Sequence, residues 1–106
     1  MASKIQVERM EALEKRLGVS LNRIGVKAIN EDNFEVHFEL KILDGGKLLE
    51  SIGVITLIYD GSGGLLGREE YCFDADKVFA FSSGSAYFSS LPFYDVKKIV
   101  IYPETF

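Results

Sequence analysis

The sequence predicts a mainly β protein, an antiparallel two-sheet β-sandwich of about seven strands with one N-terminal α-helix. Three observations carry this. The hydrophobic period is two through most of the chain. Clusters rich in Gly and Asp separate short apolar runs, as turns separate strands. A helical period, with apolar residues three and four apart, occurs only near the N-terminus. The 106 residues suit one domain rather than two. Their 47% apolar content is enough for a core. A single domain is therefore expected over 1–106, with the helix over 3–17 and the sandwich over 21–103.

The helix is read from Met10, Leu13 and Leu17, which share one face, and from Ser3 and Gln6, spaced as a capping box. Glu11 and Lys15 form a favourable i,i+4 pair, and Gly18 is placed to end the helix in the left-handed conformation. Ile24, Val26 and Ala28 then alternate with Gly25 and Lys27 as a first strand, closed by the turn formers Asn30 to Asn33. Phe34, Val36, Phe38, Leu40 and Ile42 alternate with Glu35, His37, Glu39 and Lys41, a strand with one dry face and one wet. Asp44-Gly45-Gly46 predicts a hairpin turn.

The next strand, over 48–59, is apolar on both faces near its end, which places it centrally or under the N-terminal helix. Asp60 to Gly64 predicts a second hairpin loop, 65–73 a returning strand and 74–77 a turn. Residues 78–81 read as a short strand and 82–85 as a loop. Pro92 leaves 86–94 without a clean period. Residues 96–102 read as the last strand, closed by Pro103.

The stretch from Thr56 to Gly67 resembles the motif of the FxLYD-type domains, prokaryotic immunoglobulin-like sandwich modules. Leu57, Tyr59, Asp60, Gly64, Leu65, Leu66 and Gly67 stand at matching positions, and Ile55 replaces the leading Phe. The resemblance implies an immunoglobulin-like sandwich and carries over no catalytic residue.

The net charge of −4, with both signs mixed, argues against a nucleic-acid binder, which needs a basic patch. No apolar run approaches the ~20 residues that span a bilayer, so no membrane insertion is expected. The N-terminal residues carry charges where a signal peptide needs an apolar core, so a cytoplasmic location is expected. The single cysteine, Cys72, excludes an intramolecular disulfide.

No residue set reaches the specificity of a catalytic or metal motif, and no cofactor is expected. His37 lies between Glu35 and Glu39 on one strand face, where the three could hold a ligand or merely form a solvated face. Cys72 lacks an assured base and reads as a buried small hydrophobe. Asp60, Asp74 and Asp76 could suggest calcium, but two aspartates in a four-residue turn are commonly turn formers. The Gly-rich loop from Gly61 to Gly67 lacks the Gly-Lys-Ser/Thr of a phosphate cradle.

The remaining signal is aromatic density from Tyr71 to Tyr94, with Phe88, Phe93 and Tyr94 flanking Pro92. Aromatics rimmed by serines suit an interface. The chain is therefore expected to be a non-enzymatic protein-interaction module, its partner bound over 82–94 or along a sheet edge, with Tyr87, Phe88, Phe93 and Tyr94 as candidates. The alternative is self-association through an edge strand or the helix stripe Met10, Leu13 and Leu17. A small-ligand site at His37 with Glu35 and Glu39 is the third reading.

Overall fold

The computed structural model describes residues 5–48 and 50–105. Two sheets pack face to face. The strands are β1 (Gln6–Arg9), β2 (Val19–Asn30), β3 (Asn33–Ile42), β4 (Ile52–Tyr59), β5 (Leu65–Phe73), β6 (Phe81–Phe88) and β7 (Lys98–Thr105), with helix α1 (Glu11–Arg16) after β1. One sheet has the order β1-β7-β4-β5 and the other β2-β3-β6. The mainly β, two-sheet sandwich with one short helix is as expected.

The alternating strand is β3, at the centre of its sheet. Phe34, Val36, Phe38, Leu40 and Ile42 are buried, while their polar neighbours face outward. β4 is buried nearly throughout because strands flank it on both sides and the other sheet covers one face. Ile58, Val54 and Ile52 point into the core. Ile55, on the opposite face, is fully buried between its register partners Glu70 and Tyr102. Neighbouring strands, rather than the helix, flank it.

The core forms two clusters. One gathers Leu21, Phe38, Leu40, Ile52, Val54, Phe73 and Ile101, and the other Phe34, Val36, Ile58, Phe88, Val96 and Ile99.

Several expectations change. The helix expected over 3–17 is a strand followed by a six-residue helix. Ile5 and Val7 alternate with Gln6 and Glu8, and the open edge of β7 takes this segment as a parallel neighbour, from Gln6↔Lys98 to Arg9↔Ile101. That pair departs from an all-antiparallel sandwich. The expected cap at Ser3 lies outside the described residues. Gly18 does close the helix, at φ +74°.

The Asp44-Gly45-Gly46 turn forms, with Gly46 N–H donating to Asp44 Oδ1 at 2.8 Å. It begins a crossover to the other sheet instead of a hairpin, because β4 belongs between β5 and β7. Residues 82–85 lie inside β6, and Val78 precedes that strand as a core residue. Pro103 sits within β7 opposite Val54, buried, at a level where β1 no longer pairs with that strand. There its missing N–H breaks no pairing to β1.

Helix α1 is held by Glu14, 2% exposed. Arg9 donates to it through Nη2 at 2.7 Å and Nε at 3.2 Å, and the Leu21 N–H donates at 3.0 Å. The hydrogen bond to Glu14, partly opposed by desolvation, holds the Arg9 guanidinium above its ordinary pKa. Replacing Glu14 strands the Leu21 donor and releases β1. Glu14→Ala is expected to destabilise the fold by about 2–3 kcal/mol, from an orphaned buried donor and a broken charged pair. Urea unfolding checks this, and a loss below about 0.5 kcal/mol, the surface-substitution range, would refute the clamp.

Candidate interaction edge

The sequence of β6, Phe-Ser-Ser-Gly-Ser-Ala-Tyr-Phe, is small at its centre and aromatic at its ends. Its register with β3 runs without interruption from Phe34↔Phe88 to Lys41↔Phe81. Ser82, Gly84, Ala86 and Phe88 therefore face the core side, and Phe81, Ser83, Ser85 and Tyr87 the outer face.

Gly84 is demanded by packing. A Cβ there would lie 2.8 Å from Phe38, 2.9 Å from Tyr71 and 3.0 Å from Phe73. The Tyr71 ring stands edge-on to Phe38 at 6.0 Å and lies 4.9 Å from Phe73. These rings close the gap between β5 and β6, the edge strands on that side of the sandwich.

The Ile42 N–H donates to the Ala80 C=O at 2.8 Å, which fixes the phase of the β3–β6 ladder. Bonds then fall at Ser82, Gly84, Ala86 and Phe88, and the backbone groups of Ser83, Ser85 and Tyr87 point to the open side. Among the described residues nothing hydrogen-bonds to these outward groups.

The other three edges are guarded in the ways sandwiches use against strand addition. β1 has four residues, and its Glu8 pairs with Lys98 at 3.2 Å. β2 is broken between Asn22 and Gly25, where Arg23 takes φ +51°, and it carries Lys27. β5 has an irregularity opposite Tyr59 and carries Arg68, Glu69 and Glu70. β6 carries no charge, proline or bulge.

The expected interface residues divide. Tyr87 is 49% exposed on the outer face, and Tyr94 is 71% exposed in the 3-10 turn Phe93–Asp95. Phe88 is buried, stacked on Phe34 at 5.1 Å, because its place in β6 points inward. It is unavailable to a partner. The side chain of Phe93 lies outside the described residues. Leu17 packs on the core, Leu13 is half-buried and only Met10 of that stripe is exposed, so no continuous helix face forms.

The structure instead exposes Phe79 and Phe81, at 64% and 61%. Between them Ala80 takes φ +63°, and the Phe81 N–H donates to the Phe79 C=O at 2.6 Å, a strained γ-turn. In the sequence both counted toward aromatic density, but nothing distinguished them from core residues.

The other candidates separate. Glu35, His37 and Glu39 do share the outer face of β3, and His37 lies over Gly25. Among the described residues no group of three or more His, Cys, Asp or Glu is placed to hold a metal. Cys72 is exposed rather than buried, since it points to the outer face of edge strand β5 opposite Gly53. Partial desolvation first, then the charges of Asp74 and Glu70, push its thiol above the ordinary value, which disfavours thiolate. No helix among the described residues is long and apolar enough to cross a membrane.

Asp60 is occupied by its own loop, accepting from the Ser62 hydroxyl at 2.7 Å, the Gly64 N–H at 2.8 Å and the Ser62 N–H at 2.9 Å. The Ser62 hydroxyl and then the Gly64 N–H hold its pKa below the ordinary 3.8.

No known protein-family profile matches the chain, and no curated protein matches it. Among solved structures it is similar to a chain from Bacteroides fragilis provisionally described as a beta-galactosidase, with 14% identity and a TM-score of 0.39. The match covers 81% of this chain and 15% of the other.

A depressed carboxyl stabilises the fold fully above its unfolded value and loses that contribution as pH falls through the lowered folded value. The stability difference between the native protein and Asp60→Asn is therefore expected to be flat above about pH 5 and to shrink below pH 4. The Gly64 amide shift is expected to titrate with a midpoint below 3.8 in the native protein. A midpoint at or above that value would contradict the loop geometry.

Proposed function

We propose that this chain is a non-enzymatic protein-interaction module whose partner adds a strand to the free edge of β6. The observation that carries this is the edge itself. Three residues in alternation, Ser83, Ser85 and Tyr87, present unpaired backbone donors and acceptors along a straight, uncharged strand. Main-chain hydrogen bonds from an added strand give affinity, and side chains beside the edge give selectivity. Exposed Phe81 and Tyr87 supply apolar area at either end.

The scaffold reading is immunoglobulin-like. With β2 taken as the first strand, β2-β3-β6 corresponds to A-B-E and β7-β4-β5 to F-C-C′. The hairpin that carries the FxLYD resemblance then lies at C–C′, away from β6, and supports the fold rather than the docking edge.

Ser85→Pro tests the proposal. It removes an outward N–H without touching the β3 ladder, and the preceding Gly84 tolerates the restriction that proline imposes. The folded variant, judged by circular dichroism, is expected to lose at least about tenfold in capture of a protein partner detected by native mass spectrometry. Ser83→Lys, which installs the usual guard of an edge strand, is expected to act the same way. Undiminished capture by both variants, or no protein captured by the native chain, would refute the reading.

A further inference from the structure

We infer that the strand received by β6 is a basic one, an extended segment of another protein whose side chains beside Ser83 and Ser85 are lysine or arginine. This rests on the proposed role of the β6 edge and names the chemistry of its partner.

The space for such side chains is on the molecule. Because Ser83 and Ser85 are short and Gly84 has no side chain, a hollow of about 290 Å³ opens at the edge, lined by Glu35, His37, Tyr71, Ser83, Gly84 and Ser85. A long side chain on an added strand crosses the serines and reaches the outer face of β3. Glu35, opposite Tyr87, and Glu39, opposite Ser83, stand there half-buried. On the other side of the edge Glu69 of β5 is exposed, in register with inward-facing Thr56 and so directed toward the β6 side of the sandwich.

None of these three carboxylates makes an ion pair among the described residues. Two lysines share this outer face, Lys27 on β2 in register with Glu35 and Lys41 two residues along β3 from Glu39, and neither closes an ion pair with them among the described residues. Tyr71, fixed by Phe38 and Phe73, adds an aromatic ring to the hollow, and a cation beside such a ring is attracted to its face.

Charge also argues against a second copy as the occupant. Pairing β6 with its own image would gather Glu35, Glu39 and Glu69 of both copies around the new sheet, in a chain whose net charge is already −4.

Four capped eight-residue peptides test this, each followed by fluorescence anisotropy and by amide chemical shifts of the intact chain. The first alternates threonine with lysine. The second and third replace lysine with serine and with glutamate, and the fourth keeps the lysines but replaces threonine with proline. The lysine–threonine peptide is expected to bind at least about tenfold more tightly than the other three. Its binding is expected to shift the Ser83, Ser85 and Tyr87 amides, and the double variant Glu35→Gln, Glu39→Gln is expected to lose most of the advantage.

Equal binding of the serine and glutamate peptides at the same amides would overturn the basic partner while leaving the β6 edge intact as a docking site. Equal binding of the proline peptide would reduce the effect to unspecific charge attraction and overturn the inference. Binding unaffected by Ser85→Pro, shifts confined to other strands, or no binding by any peptide at millimolar concentration would overturn the edge reading along with it. A homodimer abolished by Ser85→Pro would assign the edge to a second copy and overturn the basic partner.

Discussion

Glu14 belongs to neither sheet and ties one to the other. Its carboxylate takes two donors from Arg9, at the end of β1, and one from the backbone of Leu21, in β2. β1 is an edge strand of the four-stranded sheet and β2 an edge strand of the three-stranded one. A buried carboxylate without partners would be costly, so the helix turn that carries it can settle only where both are within reach. The position of α1, the docking of β1 on β7 and the start of β2 are consequences of one charge finding three hydrogen bonds.

That clamp closes one side of the sandwich, and the other side is closed by rings. Tyr71 and Phe73 from β5 meet Phe38 across Gly84 of β6. The two closures have different chemical consequences. The charged one binds the edges of β1 and β2 together through side chains. The aromatic one needs a strand with nothing on its inner side at residue 84, and so places a small, uncharged segment at the edge. The small, uncharged character of the β6 edge is thus a by-product of how the core is sealed beside it.

Much of this was legible in the sequence and some was not, for physical reasons. The strict alternation from Phe34 to Ile42 reads directly as β3, because one buried and one wet face leave no other period. Asp60, Gly63 and Gly64 likewise announce the β4–β5 hairpin, since their turn chemistry is local. β1 is hidden because its alternation lasts four residues beside a longer helical pattern, and only the open flank of β7 decides between them. Ser82 to Ser85 imitate a loop because the reason for their smallness lies in rings from two other strands. The same distance separates Phe88 from Phe81. Both are aromatic residues in one strand, and register alone sends one into the core and the other into water.

The parallel pairing of β1 with β7 has a consequence for how the chain comes into being. Gln6 and Lys98 are about ninety residues apart, so β1, once synthesised, waits for β7 before it has a neighbour. In that interval β2, β3 and β6 can assemble, as can the β4–β5 hairpin, while Ile99 and Ile101 are still missing from the opposite wall of the core. Completion of the four-stranded sheet therefore waits on the synthesis of β7. Until it occurs, β4 presents one uncovered flank along its whole length to the surrounding cell.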